Sequence, residues 1–228
     1  MIDGTMMVSA IVRKHPALAE VFEGVGIDYC CGGNRPLSDA CAEKELDLAT
    51  VVKLLNASTG ARLGGEERVD DYPTEKLIDH IVDTHHSYLR SALPRLDTMV
   101  AKVAEGHKKD DPRLEEVKQV YDRLRAELLP HQDREEQELF PAIRESVRNP
   151  EAAVSDSLIK ELREDHSAVG EMLAELNRLT DNYTPQEWAC PTTHAMLHAL
   201  SELERDTHQH VHKENNILFP RAEGHRAT

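Results

Sequence analysis

Pro130-His131-Gln132-Asp133-Arg134-Glu135 leads to Leu139-Phe140-Pro141, and Gln209-His210-Val211-His212-Lys213-Glu214 leads to Leu218-Phe219-Pro220. The two stretches are one pattern written twice: His to Glu is four residues, and Glu to Phe is five. On a helix, positions four apart share a face, so each His stands over its Glu. A lone histidine precedes each copy at a matching distance: His86 lies 45 residues before His131, and His166 lies 44 before His210. The chain therefore reads as two equivalent helical hairpins related by a pseudo-twofold axis.

Working outward, the hairpins resolve into four long helical patterns. The first runs from Pro73-Thr74 to Glu105-Gly106, the second from Asp111-Pro112 to Asn149-Pro150. The third runs from Ser155 to Asp181, and the fourth from Thr184-Pro185 to Pro220. Short connections favour antiparallel neighbours, hence an all-α, up-down-up-down four-helix bundle. Each pattern carries an apolar stripe at three- and four-residue spacing that should face the interior. The stripes are Val82, His86, Leu89, Leu93, Leu96, Val100, Val103; Val117, Tyr121, Leu124, Leu128, His131, Glu135, Glu138; Ile159, Leu162, His166, Val169, Leu173, Leu176; and Met196, Leu200, Leu203, Thr207, His210, Glu214, Ile217.

Histidine and glutamate on an apolar stripe are costly to bury unless they pair or hold a metal. Four imidazoles (His86, His131, His166, His210) and two carboxylates (Glu135, Glu214) from four helices can serve two metal ions, two histidines each, with both carboxylates bridging. Imidazole plus carboxylate suits iron, and also manganese or zinc. The order His-x-x-x-Glu differs from the ferritin-type Glu-x-x-His arrangement. His85 falls off the stripe that His86 fits. His208 and His212, two residues either side of His210, are turned by roughly 200° and are expected to be solvated or to stand behind the ligands. His80, His107, His194, His198 and His225 belong to no motif. Pro130 is expected to kink the second helix, and Pro141 and Pro220 to kink or end theirs.

Upstream, residues 1–57 read as a small helical unit. Ser9 is the expected N-cap of its first helix. His15-Pro16 interrupts that helix, and Gly24 and Gly26 end the stretch Ala17 to Glu23. Ser38 to Lys44 and Leu46 to Leu55 are two further short helices. So small a core is marginal alone, so docking or dimerisation is expected. Residues 58–72 read as a linker, 73–222 as the bundle and 223–228 as a tail. Cys30-Cys31 lies in a Gly-rich turn. Adjacent cysteines close only a strained ring, so a structural bridge is not expected. The pair can bind a soft metal, take an electron pair or be inert. Cys41 and Cys190 are expected to be buried spectators.

Composition sets the outer limits. The 228 residues carry 27 Lys+Arg against 42 Asp+Glu, a net charge of −15. That excludes a general basic surface for nucleic acid or anionic lipid. Aromatic residues are 4%, in keeping with an all-α chain. No stretch approaches the roughly 20 apolar residues of a membrane span, and the first residues lack the apolar core of a signal peptide. A soluble, cytoplasmic protein with reduced thiols is expected. Of 13 histidines, eleven fall between His80 and His212.

Taken together, Asp28-Tyr29-Cys30-Cys31-Gly32-Gly33, the His / His-x-x-x-Glu repeat and Glu214-Asn215-Asn216-Ile217-Leu218-Phe219-Pro220-Arg221 resemble the repair-of-iron-centres family over about residues 5–222. These are iron–sulfur cluster repair di-iron proteins with a hemerythrin-like domain. The resemblance implies two non-haem iron ions with His86, His131, His166 and His210 as terminal ligands. Glu135 and Glu214 become carboxylate bridges, with an oxo or hydroxo bridge besides. Cys30 and Cys31 match the family's cysteine pair, for which a redox or iron-relay role is expected. Three readings follow. In the first, the protein donates iron to iron–sulfur proteins or a scaffold damaged by nitrosative or oxidative stress. In the second, the di-iron site binds NO or reduces it to N2O. In the third, it senses O2 or redox state, although four histidines are fewer than the five of an oxygen-carrying hemerythrin.

Overall fold

The computed structural model describes residues 1–61, 69–149 and 151–224. Apart from one isolated bridge between Met7 and Pro36, its regular structure is helical. No helix among the described residues is long and apolar enough to cross a membrane.

The N-terminal unit is built from α1 (Val8–Lys14), a 3-10 turn at Pro16–Leu18, α2 (Ala19–Gly24), α3 (Leu37–Glu43) and α4 (Leu48–Ala61). Helix α1 stops where Pro16 forces His15 out of helical geometry, at φ −137° and ψ 78°. Gly26 reverses the chain at φ +69°. Ser9 is not the cap: α1 begins one residue earlier, and the Ser9 amide donates to Gly33 O at 2.8 Å. That contact explains Gly33, where an added Cβ would stand 2.2 Å from Tyr29 O. Val8, Ile11, Phe22, Leu37 and Leu55 are fully buried in the unit's core, which also takes in Val211 from the bundle. The small unit thus completes its core by docking.

Four rods make the bundle. The first is α5 (Thr74–Ile81), a π turn at Val82–His86 and α6 (Ser87–His107). The second is α7 (Arg113–Arg134), a π turn at Glu135–Leu139 and α8 (Phe140–Arg148). The third is α9 (Asp156–Leu179) alone; the fourth is α10 (Pro191–Lys213), a π turn at Glu214–Leu218 and α11 (Phe219–Gly224). Helix α7 packs on α6 and α9, and α10 on α6 and α9, which closes the up-down-up-down ring. Arg221 of α11 donates to the carbonyls of Tyr72 and Asp70 at 2.7 and 2.6 Å, anchoring the chain ahead of α5. Of the linker expected at 58–72, residues 58–61 continue α4 and 62–68 lie outside the described residues, as do 225–228 with His225.

Three expectations need correction. The fourth rod starts at Pro191, not at Thr184-Pro185. Asp181, Asn182 and Tyr183 take successive left-handed conformations (φ 51°, 56° and 55°), and the stretch after them brings Trp188 against the core before the chain turns helical. Pro141 and Pro220 do not end their helices; each is the second residue after a π turn, whose wider spacing removes the need for an amide there. Helix α7 likewise runs through Pro130. The second stripe does not continue to Glu138, which is exposed; the π turn inserts one residue and Leu139, fully buried, takes the inward place. The five-residue step from Glu135 to Phe140 is this insertion seen in the sequence.

The apolar interior is split in two. One cluster holds Leu93, Leu96, Tyr121, Leu124, Leu173 and Leu203. The other holds Ile81, Leu139, Phe140, Leu162, Leu218 and Phe219. On every rod, a buried histidine separates the two.

Candidate metal centre

That polar layer is assembled from the residues at which the stripes turn ionisable. His86 ends one π turn, and Glu135 and Glu214 begin the other two. Such turns locally rephase a helix and concentrate at functional sites. Glu135 and Glu214 are fully buried; His86, His131, His166 and His210 are at most 5% exposed.

The geometry is symmetric. His86 Nε2 and His210 Nε2 lie 3.2 Å apart, and His131 Nε2 and His166 Nε2 lie 2.9 Å apart. Each carboxylate divides its oxygens between the two pairs. Glu135 sets Oε2 3.3 Å from His86 Nε2 and Oε1 3.1 Å from His131 Nε2. Glu214 sets Oε1 3.1 Å from His210 Nε2 and Oε2 3.2 Å from His166 Nε2. Two overlapping groups result, His86–Glu135–His210–Glu214 and His131–Glu135–His166–Glu214, each compact enough to hold one metal ion.

Three of the imidazoles are oriented from behind. His86 Nδ1 donates to Glu136 at 2.6 Å, a carboxylate also held by Arg90. His131 Nδ1 donates to Asp165 at 3.3 Å, and His166 Nδ1 to Asn215 Oδ1 at 3.0 Å. With Nδ1 donating outward, Nε2 presents a lone pair inward. All four oxygens of Glu135 and Glu214 are buried without a hydrogen-bond donor among the described residues. Acceptors crowded this closely in a dry interior require cations between them, either protons or metal ions. The residues therefore fit a pair of metal ions. In their absence the electrostatics already lean that way. Burial pushes the Glu214 carboxyl up, but His210 and His166 outweigh it and hold it well below its ordinary range. Burial and Glu214 push Glu135 up, and His131 and His86 outweigh them.

Glu136, Asp165 and Asn215 were not visible as site residues in the pattern. Their common signal is position: Glu136 follows Glu135, Asp165 precedes His166 and Asn215 follows Glu214. A one-residue step turns about 100° around the helix, which aims each at the imidazole of a neighbouring rod.

The extra histidines are placed more firmly than expected. His85 is buried, accepts a hydrogen bond from Lys213 Nζ at Nε2 (2.9 Å) and donates one from Nδ1 to Asp206 (2.9 Å). Its ring stacks on His210, centroids 5.3 Å apart. His212 is buried rather than solvated, and its Nδ1 donates to Tyr29 O at 3.1 Å. His208 meets the Tyr29 ring edge-on at 6.2 Å.

His212 thus helps dock the cysteine loop on the bundle. Asn216 donates to Cys30 O at 2.9 Å, and Cys31 Sγ lies 3.6 Å from His166 O and 3.9 Å from Asn215 Nδ2. The two sulfurs are 3.9 Å apart, and both cysteines are free. Asp28 Oδ1 accepts the amides of Cys30 and Cys31 at 2.8 and 3.0 Å and the Cys30 thiol at 3.2 Å. The Cys31 thiol and burial push Cys30 well above the ordinary thiol range.

Cys41 is buried as expected, but Cys190 is not a buried spectator. It precedes α10, 3.5 Å from Thr193 Oγ1. The Thr193 hydroxyl, the Thr193 amide and His107 lower its pKa to about 6. Iodoacetamide at pH 7 is therefore expected to alkylate Cys190 ahead of Cys30 and Cys41, with half-maximal rate near pH 6. Thr193→Val should move that midpoint upward; labelling of Cys30 first would contradict the assignment.

Two comparisons bear on this site. Residues 77–222 match the hemerythrin HHE cation binding domain, and residues 4–59 match a domain of unknown function, DUF542. The chain is 34% identical over 220 residues to the iron-sulfur cluster repair protein ScdA of Staphylococcus haemolyticus, covering 96% of this chain and 98% of that one. It is 35% identical over 211 residues to the iron-sulfur cluster repair protein YtfE of Escherichia coli O8, covering 91% of each.

Proposed function

The chain belongs to the iron–sulfur cluster repair family with a hemerythrin HHE domain, and from that membership we propose that it repairs damaged clusters by giving up iron held in its bundle. His86 and His210 would hold one iron, His131 and His166 the other, with Glu135 and Glu214 bridging. Imidazole and carboxylate suit Fe(II) without binding it as irreversibly as a thiolate cage. Here iron is cargo: its departure is balanced by protons returning to the imidazoles and carboxylates, so acidification of the site favours release.

The observation that carries this reading is the contact of the two halves. Cys31 lies against the backbone of His166 and the side chain of Asn215, which itself orients His166. A thiol pair this close behind a ligand of the cation site supports the reading that it takes over an ion leaving it. Glu136, Asp165 and Asn215 keep the lone pairs aimed inward, and the two apolar clusters exclude water from either end. Damaged iron–sulfur proteins, or a scaffold that serves them, are the proposed acceptors.

The test is reactivation of an NO-damaged [4Fe–4S] dehydratase by the Fe(II)-loaded protein, set against an equal amount of free Fe(II). Recovery is expected to exceed that of free iron and to fall to the free-iron level with His210→Leu. Cys30→Ala/Cys31→Ala is expected to keep the bundle iron and slow the recovery. No recovery by a protein with full iron content would overturn iron donation, and unchanged recovery by the double variant would remove the cysteines from it.

A further inference from the structure

We propose that a cavity between the N-terminal unit and the bundle binds a small carboxylic acid that also carries a hydrogen-bond donor, hydroxyl or amino. The cavity measures about 310 Å³ and lies between the α1–α2 connection and one face of α10. None of the six residues of the metal centre lines it, so the inference stands apart from the cluster-repair reading.

Its floor is formed by two consecutive residues of opposite hydrogen-bonding character, His212 and Lys213. His212 is 5% exposed. Because its Nδ1–H donates to Tyr29 O at 3.1 Å, its Nε2 is left as a bare acceptor. The Asn216 amide that also approaches Nδ1, at 3.2 Å, has the better-placed Cys30 O to donate to at 2.9 Å. His212 Nε2 is buried and has no partner among the described residues. A buried acceptor without a donor is uncommon and carries a desolvation cost. The occupant of the cavity should therefore bring a donor.

Lys213 supplies the complementary half. Its ammonium donates one hydrogen bond to His85 Nε2 at 2.9 Å and makes a longer contact to Gln209 O at 3.4 Å, while three donors are available to it. A carboxylate is the partner that suits a half-buried ammonium. An acceptor and an ammonium lining one cavity ask for a ligand that brings both a donor and a carboxylate, and α-hydroxy and α-amino acids are the smallest that do. Val12, Ala17, Val69 and Ile217 supply an apolar part of the wall that suits a branched aliphatic tail, and Tyr29, His80 and Gln209 line it too. Small-ligand sites combine apolar walls with a few convergent polar groups, and this volume lies at the lower end of such pockets. Arg13 and Glu20 bring one charge of each sign to the rim. An occupant would touch both α1 and α10, and so hold the N-terminal unit on the bundle.

The test is calorimetric titration of the full chain with four matched probes. These are 2-hydroxy-4-methylpentanoate, leucine, 4-methylpentanoate (no donor) and 2-hydroxy-4-methylpentanamide (no charge). Saturable binding with a Kd of about 1 mM or tighter is expected for the hydroxy acid or for leucine, and the better of the two identifies the donor. The donor-less acid and the amide should each bind about tenfold more weakly, one hydrogen bond's contribution. His212→Phe should remove the preference for the donor, and Lys213→Met the preference for the carboxylate. Ala17→Phe fills the cavity from the side away from the metal centre and should abolish binding while leaving metal content unchanged. No saturation by any probe would overturn the proposal, as would equal affinity for the donor-less acid or undiminished binding by Ala17→Phe.

Discussion

Glu214→Ala is expected to take the chain from two tightly held metal ions to fewer than one. Like Glu135, Glu214 turns its two oxygens to different histidine pairs, Oε1 toward His210 and Oε2 toward His166. Its loss removes a ligand from both positions at once and leaves Glu135 as the sole bridging carboxylate. Removing even an outer partner of a ligand typically costs 10–100-fold in metal affinity, so the loss here should be about 100-fold or more at each position. Glu136→Ala provides the contrast, because of the four site histidines Glu136 is hydrogen-bonded to His86 alone. It should weaken one ion by about 10–100-fold and spare the other. Metal analysis after gel filtration, with titration of the metal-free proteins, distinguishes them. Two ions retained at unchanged affinity by Glu214→Ala would exclude a shared bridge.

The second large effect is on stability. The metal-free interior holds two carboxylates whose oxygens lack hydrogen-bond donors among the described residues. Metal binds the folded chain far better than the unfolded one, and each site adds about 4 kcal/mol when free metal is 1,000-fold above its Kd. In a chain of this size each kcal/mol raises Tm by roughly 2–4 °C. Loading should therefore raise Tm by roughly 10 °C or more per ion, reversed by a chelator. The effect should also depend on pH. Burial lowers the His131 pKa, but Glu135 outweighs it and raises the group from 6.5 to about 9. A raised pKa stabilises the metal-free fold fully below about pH 6.5, and that contribution is lost as pH rises through about 9. The loaded form needs a neutral imidazole, so protons compete with metal. The Tm difference between loaded and metal-free protein should widen from pH 6 to pH 9. A difference that is constant or narrows would contradict the assignment of His131 as a ligand.

Much of this centre is readable from spacing alone. The stripe positions of His86, His131, His166 and His210 and the fixed step to Glu135 and Glu214 brought six residues to one layer, because helical periodicity is a local property. What spacing does not carry is the order of helices around the bundle. Without that order, Glu136, Asp165 and Asn215 look like solvated neighbours, although each supports an imidazole on another rod. The π turns left a trace in the five-residue steps to Phe140 and Phe219, but a four-residue reading placed Glu138 inward where Leu139 stands. The start of α10 was missed because three successive left-handed residues, Asp181 to Tyr183, are set by packing of the loop and not by Pro185. His212, expected to be solvated or to stand behind the ligands, instead bonds Tyr29, a partner too distant in the chain for spacing to reveal.

The central claim is that iron leaves the bundle and enters a damaged cluster. It is tested most directly by loading the protein with 57Fe and incubating it with an NO-damaged [4Fe–4S] protein of natural isotopic composition. The two are then separated, and the Mössbauer spectrum of the repaired protein is recorded. The account predicts 57Fe in the restored cluster, with a matching loss from the bundle. Restored activity with the 57Fe still in the bundle would contradict it.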